Sequence, residues 1–217
     1  MIVTIDGPSG SGKSTVAREL ARRLGFEYLD TGAMFRALAW ALLRRGVDPE
    51  DAAAVEAALD VIELRAEPGH IRVDGEDVTG RIRTPQVSAA ASRVAVIPAV
   101  RRYLAERQRA AAAGRDIVCE GRDQGTAVFP EAECKFFLTA DPHERARRRY
   151  RELRERGENV TFEEVLYSQQ ERDRRDAERP TAPLRQAEDA HTIDTTDLGI
   201  DEVVEKLERE VRRCRGG

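Results

Sequence analysis

The stretch Gly7-Pro8-Ser9-Gly10-Ser11-Gly12-Lys13-Ser14, with Thr15 next, sets four residues between a glycine and a Gly-Lys-Ser triplet. That spacing suits a chain of phosphates. Glycines let successive backbone N–H groups turn inward onto phosphate oxygens, and a helix opening at the loop's end adds the positive pole of its dipole. Lys13 then reaches the β- and γ-phosphates, and the Ser14 hydroxyl is offered to Mg²⁺. Only Lys13, Lys135 and Lys206 are lysine; the other 33 of the 36 basic residues are arginine. A slot with no geometric demand would almost always hold arginine in this chain. The loop is expected to bind a nucleoside triphosphate.

What is done with the triphosphate is read from the acids and arginines. No Asn precedes any of the three lysines, so the N-K-x-D base-reading motif of translational GTPases is absent. The apolar run Ile117-Val118-Cys119-Glu120 ends in one acid rather than the Asp-Glu of motor ATPases, and Glu120 is a candidate to hold a metal-bound water. A small kinase fits better. Phosphoryl transfer needs two anionic substrates aligned and the moving charge neutralised. Arg36, Arg101 and Arg122 follow separate elements that can meet at a sheet's carboxyl edge. His143 to Arg156 holds seven arginines, of which Arg145, Arg148 and Arg149 share a helix face by i, i+3, i+4 spacing. Gly157 behind them is a candidate hinge for a closing lid. Arg172, Asp176 and Arg179, at i, i+4, i+7, project together from a later helix, a row suited to a sugar hydroxyl and an anion or to a plain salt bridge.

The elements that position these groups alternate in type. Strands are expected at Ile2 to Asp6, about 27–29, 116–120, 135–138 and 191–194. Helices are expected at 14–24, 32–45, 50–59, 84–94, 98–113, 143–156, 162–179 and 200–213. Short runs at 62–65, 71–73 and 77–78, punctuated by Pro68-Gly69 and Asp74-Gly75, read as a small antiparallel sheet. Strands separated by helices imply a parallel sheet with right-handed crossovers.

With 217 residues and 41% hydrophobic side chains the chain can fill one ordinary α/β core. The longest apolar runs fall far short of a membrane span. Met1 to Asp6 lacks the basic stretch of a signal peptide. Cys119, Cys134 and Cys214 are too scattered for a disulfide framework or a zinc site. A cytoplasmic setting is expected. Net charge −4 and 5% aromatic residues argue against a nucleic-acid partner.

The whole chain resembles the bacterial cytidylate kinases. The residues that carry the likeness are Gly7 to Thr15, Leu29-Asp30-Thr31-Gly32-Ala33-Met34-Phe35-Arg36, Val94 to Arg101, Gly121-Arg122-Asp123-Gln124-Gly125-Thr126, Glu171 to Asp176, and Ile193-Asp194-Thr195-Thr196. The resemblance implies an α/β, three-layer P-loop fold with a central parallel five-stranded sheet, an acceptor-binding insert and a short helical lid. It implies a core of 1–30, 84–140 and 180–217, an acceptor region of 31–83 with an antiparallel insert at about 62–79, and a lid at 143–160. It implies ATP-dependent, Mg²⁺-assisted phosphorylation of CMP and dCMP. A monomer with no membrane or nucleic-acid partner is expected. Lys13, Arg122, Arg145 and Arg148 would then be catalytic, and Arg149 would join the loop residues on ATP. Arg36 and Arg122 would hold the acceptor phosphate. Thr31, Arg101, Asp123 and Arg179 would read cytosine, with Ser92, Arg172 and Asp176 around the ribose. Phe35 stands where the family usually has tyrosine, which leaves ring packing without a hydroxyl. Gln124 fills a usually aliphatic slot. A shikimate-type kinase would show Asp-x-Asp where this chain has Asp30-Thr31-Gly32. A UMP kinase, or a nucleic-acid-binding regulator that uses its P-loop as a switch, would carry the same phosphate loop.

Overall fold

The computed structural model describes residues 1–67 and 69–216 of the 217. Pro68, half of the Pro68-Gly69 turn read from the sequence, lies outside them. In chain order the elements are β1 (Ile2–Asp6), α1 (Lys13–Leu24), β2 (Glu27–Asp30), α2 (Thr31–Arg44), α3 (Ala52–Leu59), β3 (Leu64–Glu67), β4 (His70–Val73), β5 (Glu76–Asp77), α4 (Pro85–Val94), α5 (Pro98–Ala112), β6 (Ile117–Gly121), β7 (Cys134–Thr139), α6 (Pro142–Glu155), α7 (Phe162–Glu178), β8 (His191–Asp194) and α8 (Ile200–Gly216). Each element expected from the sequence is present, with ends moved by three residues at most. One was not expected: Gln124–Val128, between β6 and β7, is a single wide π turn.

The five-stranded sheet has the order β2-β6-β1-β7-β8 and is parallel. β1 lies in its middle, which is why Val3 and Ile5 are wholly buried and the strand reads as a continuous β-branched run. Its register sets Asp6 opposite Gly121 on one side and Phe137 on the other. The first phosphate-loop glycine therefore leaves the sheet at its carboxyl edge.

Contacts divide the chain into two compact units, Met1–Phe26 with Ile117–Gly217 and Glu27–Asp116. In the first, α1 packs on α8 and α6 on α7. The apolar faces are Val16, Leu20 and Ala21 on α1 and Val203, Val204, Leu207 and Val211 on α8. A capping box at Thr161 and Glu164 starts α7. Gly157, just beyond α6, takes a left-handed φ of +80°, the conformation of a helix-ending glycine.

In the second unit, α2 begins on an Asp30 side chain that accepts the Ala33 N–H at 2.7 Å. It packs against α4 through a mostly small-residue face. The antiparallel sheet β3-β4-β5 leans on α2 and α5, and the Tyr103 hydroxyl of α5 donates to the Ile62 carbonyl. The buried faces of α4 and α5 meet α2, α3 and the small sheet, within the unit Glu27–Asp116. Helical periodicity marks which face is buried, not against what.

Candidate functional site

The phosphate loop starts under a steric rule. A side chain on Gly7 would put its Cβ 2.0 Å from the Leu138 carbonyl oxygen, at a φ of +146° that only glycine takes readily. Past it, the Ser11 hydroxyl donates to the Pro8 carbonyl at 3.1 Å, and the Lys13 amine donates to the same carbonyl at 2.6 Å and to Ser11 Oγ at 3.3 Å. The amine lies folded over the loop and is almost wholly buried. Burial, with Arg122 and Arg172 nearby, pulls its pKa well below the ordinary lysine range, while Glu120 and Asp6 act the other way. An arriving polyanion restores favour to the charged form. At the opening of α1 the Ser14 hydroxyl donates to Glu120 Oε1 at 2.6 Å. A hydroxyl beside a carboxylate is a hard-oxygen pair that fits Mg²⁺, which takes few protein ligands and fills the rest with water and phosphate oxygens. Among the described residues no group of three or more His, Cys, Asp or Glu side chains is arranged to hold a metal.

Asp6, to which no role was given from the sequence, organises the next segment. Its buried carboxylate accepts the Gln124 N–H at 2.9 Å and the Gly125 N–H at 2.7 Å. Two consecutive amides drawn to one carboxylate explain the wide π turn. A lone acid ending an apolar strand just before Gly7 is the signal that marked it. Burial is the largest influence on Asp6 and raises its pKa from 3.8 to about 6 against those two hydrogen bonds; Asp123 also raises it and Lys13 lowers it. Because the folded value exceeds the unfolded one, Asp6's contribution to stability is full below about pH 4. It is lost as pH rises through 6, by about 3 kcal/mol. Denaturant unfolding of the protein and its Asp6→Asn variant from pH 4 to pH 7 is expected to show that decline only in the former. A pH-independent difference between the two would remove the assignment.

Directly before the π turn, Asp123 is buried, with Arg179 Nη2 3.5 Å from its carboxylate. Asp176 accepts from Arg122 Nε at 3.1 Å and from Arg179 Nη1 at 3.4 Å. Burial alone would raise the Asp176 pKa, but Arg122, Arg172 and Arg179 together hold it below the ordinary carboxylate range. The structure thus brings together Arg122, Asp123, Arg172, Asp176 and Arg179, five of the residues singled out from the sequence.

It does not bring together the three arginines of α6. Arg145 is buried and donates to the carbonyls of Ala140 and Ser9, each at 3.0 Å, and to Asp173 Oδ2 at 2.5 Å. Arg148 turns to the loop after β8, donating to the Thr195 carbonyl at 2.6 Å and the Thr196 carbonyl at 3.1 Å. Arg149 pairs with Glu152 at 2.8 Å. The shared helix face is real, but long side chains leave it in different directions. Thr195, also unassigned from the sequence, is buried and links the Ser11 carbonyl to the Arg148 guanidinium through its hydroxyl, at 3.1 Å each.

In the second unit, Thr31 is buried at the start of α2, and Arg36 pairs with Asp30 at 3.1 Å. Phe35 presents its ring to the Arg101 guanidinium at 5.4 Å, so the aromatic face keeps a cation to hold without a hydroxyl. Arg101 also donates to the Ala95 carbonyl at 3.0 Å. Ser92 Oγ is buried with no hydrogen-bond partner among the described residues.

A family model described as cytidylate kinase matches residues 3–213. A protein of Rhodopirellula baltica named cytidylate kinase is 48% identical over 214 residues, covering 99% of this chain and 93% of its own. One of the same name from Carboxydothermus hydrogenoformans is 49% identical over 211 residues, covering 95% of each. Among solved structures, an uncharacterized protein of Eubacterium ventriosum is similar in fold, with a TM-score of 0.53 at 12% identity and 98% of both chains covered.

Proposed function

The chain belongs to the cytidylate kinase family, whose reaction is ATP-dependent phosphorylation of CMP, and we propose that it carries out this transfer on CMP and dCMP, directly and in line, with Ser14, and Glu120 through a water, as the residues that would hold Mg²⁺. A CMP phosphate oxygen attacks the γ-phosphorus of ATP. The bond from that phosphorus to the β–γ bridging oxygen breaks, and ADP leaves with its electron pair. The attacking oxygen is already anionic, so no general base is needed, and catalysis consists of alignment and charge neutralisation. The loop amides and Lys13 hold the donor, with Arg149 joining them. Ser14, with Glu120 through a water, would hold Mg²⁺, which would supply charge neutralisation across the phosphates. Arg122 and Arg36 hold the acceptor phosphate. Thr31, Arg101, Asp123 and Arg179 read cytosine against the Phe35 ring, and Ser92, Arg172 and Asp176 surround the ribose. Arg145 and Arg148 serve the transferring phosphoryl group when α6 moves about Gly157. The chain acts as a monomer in the cytoplasm, a setting in keeping with its three free thiols. Among the described residues no helix is long and apolar enough to cross a membrane.

The observation that carries this reading is the array of buried Asp123, Arg179 and Asp176 with half-buried Arg122, which lies close enough to Lys13 to depress its pKa. A phosphate-recognising cation and a base-recognising carboxylate adjoin the triphosphate loop. The test is ADP release from ATP across CMP, dCMP, UMP, AMP and shikimate. Turnover is expected with CMP and dCMP. UMP should trail by roughly ten- to a hundredfold, because its O4 acceptor faces the Asp123 carboxylate. Equal use of UMP, or a preference for AMP or shikimate, would reject the base assignment.

A further inference from the structure

Asp173 takes part in none of the steps above, yet it joins three of the parts they need. Its Oδ1 accepts the Ser9 N–H at 3.3 Å and its Oδ2 accepts Arg145 Nη1 at 2.5 Å. The same Arg145 nitrogen donates to the Ser9 carbonyl. Both backbone groups of Ser9 are therefore taken, one by a carboxylate on α7 and the other by a guanidinium on α6. One helical turn before Asp173, Gln169 presses on the next loop residue. A Cβ on Gly10 would lie 2.8 Å from Gln169 Nε2 and 3.0 Å from the Arg145 carbonyl oxygen. Gln169 is buried, and neither of its amide atoms has a hydrogen-bond partner among the described residues. The outer rim of the phosphate loop is thus clasped by two helices.

We propose that Asp173 is a positioning residue for the phosphoryl donor: from α7 it fixes the Ser9–Gly10 rim and the plane of the Arg145 guanidinium. The inference rests on the reading that the loop takes ATP and that α7 reads CMP. A charge-assisted fork fixes a guanidinium's plane as well as its place. Misplacement of a charge by about 1 Å at a phosphoryl-transfer centre costs on the order of a hundredfold in rate. Position 173 also makes the idea separable from a general disturbance of the helix. Arg172 and Asp176 are its neighbours on α7, so a helix that merely shifts or frays spoils the acceptor residues too. Loss of the clasp alone leaves the Arg122–Asp176–Arg179 array in place.

The experiment measures ADP release by the full chain with ATP and CMP varied separately. For Asp173→Asn, kcat is expected to fall by about ten- to a hundredfold. The KM for ATP should rise severalfold while the KM for CMP stays within about twofold of the parent value. Arg145→Gln, which also removes a charge assigned to the transferring phosphoryl group, should be slower than Asp173→Asn, and the double variant should lose less than the product of the two losses, because the Asp173–Arg145 contact is cut in both. A CMP KM that rises in step with that for ATP, losses that multiply in the double variant, or unchanged kinetics would each overturn the proposal. Asp173→Glu keeps the charge and shows the same split in milder form. Parental kinetics there, beside an Asp173→Asn protein that does not fold, would make the role purely structural and also overturn it. If the unsubstituted protein released no ADP from ATP and CMP, the underlying functional reading would fail instead.

Discussion

Substitution of Lys13 by methionine lowers kcat for CMP phosphorylation by about a thousandfold, while CMP binds within a few-fold of its parent affinity. The swap keeps the length and most of the volume of the side chain and removes only the ammonium. That ammonium ties Pro8 and Ser11 of the loop together, so its loss also loosens the peptide groups that would surround the phosphates. Two nearby cations are already committed elsewhere, Arg122 to Asp176 and Arg145 to Asp173. Calorimetry with CMP and single-turnover rates with saturating ATP separate the two effects. A kcat within tenfold of the parent, or a parallel collapse of CMP binding, would move the transferring phosphate away from Lys13.

Asp123→Asn is expected to shrink the preference for CMP over UMP by at least about tenfold, chiefly through a fall in kcat/KM for CMP. The carboxylate is nearly inaccessible to water, has the Arg179 guanidinium beside it, and is the proposed acceptor of the cytosine amine. An amide of the same shape can turn an N–H toward uracil O4 and loses part of its hold on Arg179. Asp176 still pairs with Arg179, which limits damage to the fold. Kinetics with both nucleotides at fixed saturating ATP decide the matter. An unaltered CMP-to-UMP ratio would take Asp123 out of base recognition.

Much of this machinery was legible along the chain because its signals are local. The phosphate loop lies between a β-branched strand and an apolar-periodic helix, and the row Arg172, Asp176, Arg179 needs only helical spacing to be seen. β8 was read with its observed bounds from four residues between turn signals. What escaped depends on contacts across long sequence separations. Asp6 meets Gln124 and Gly125 from 118 and 119 positions away, and Asp173 meets Ser9 from 164. No pattern in either segment announces such partners. The π turn has no residue preference to betray it, since its cause is a carboxylate on another strand. The arginines of α6 show the converse. Spacing correctly set Arg145, Arg148 and Arg149 on one face, but a guanidinium reaches far enough that its destination is decided by the acceptors around it.

The wide turn at Gln124–Val128 also governs how this gene can drift. Deleting a single codon there returns the backbone to 3.6 residues per turn and rotates each later peptide group by roughly 100°. The Gly125 amide would then leave Asp6, and Asp123 would lose the anchor directly behind it. A change of length among the five residues after Asp123 is expected to cost the Asp6 contacts and, with them, CMP phosphorylation.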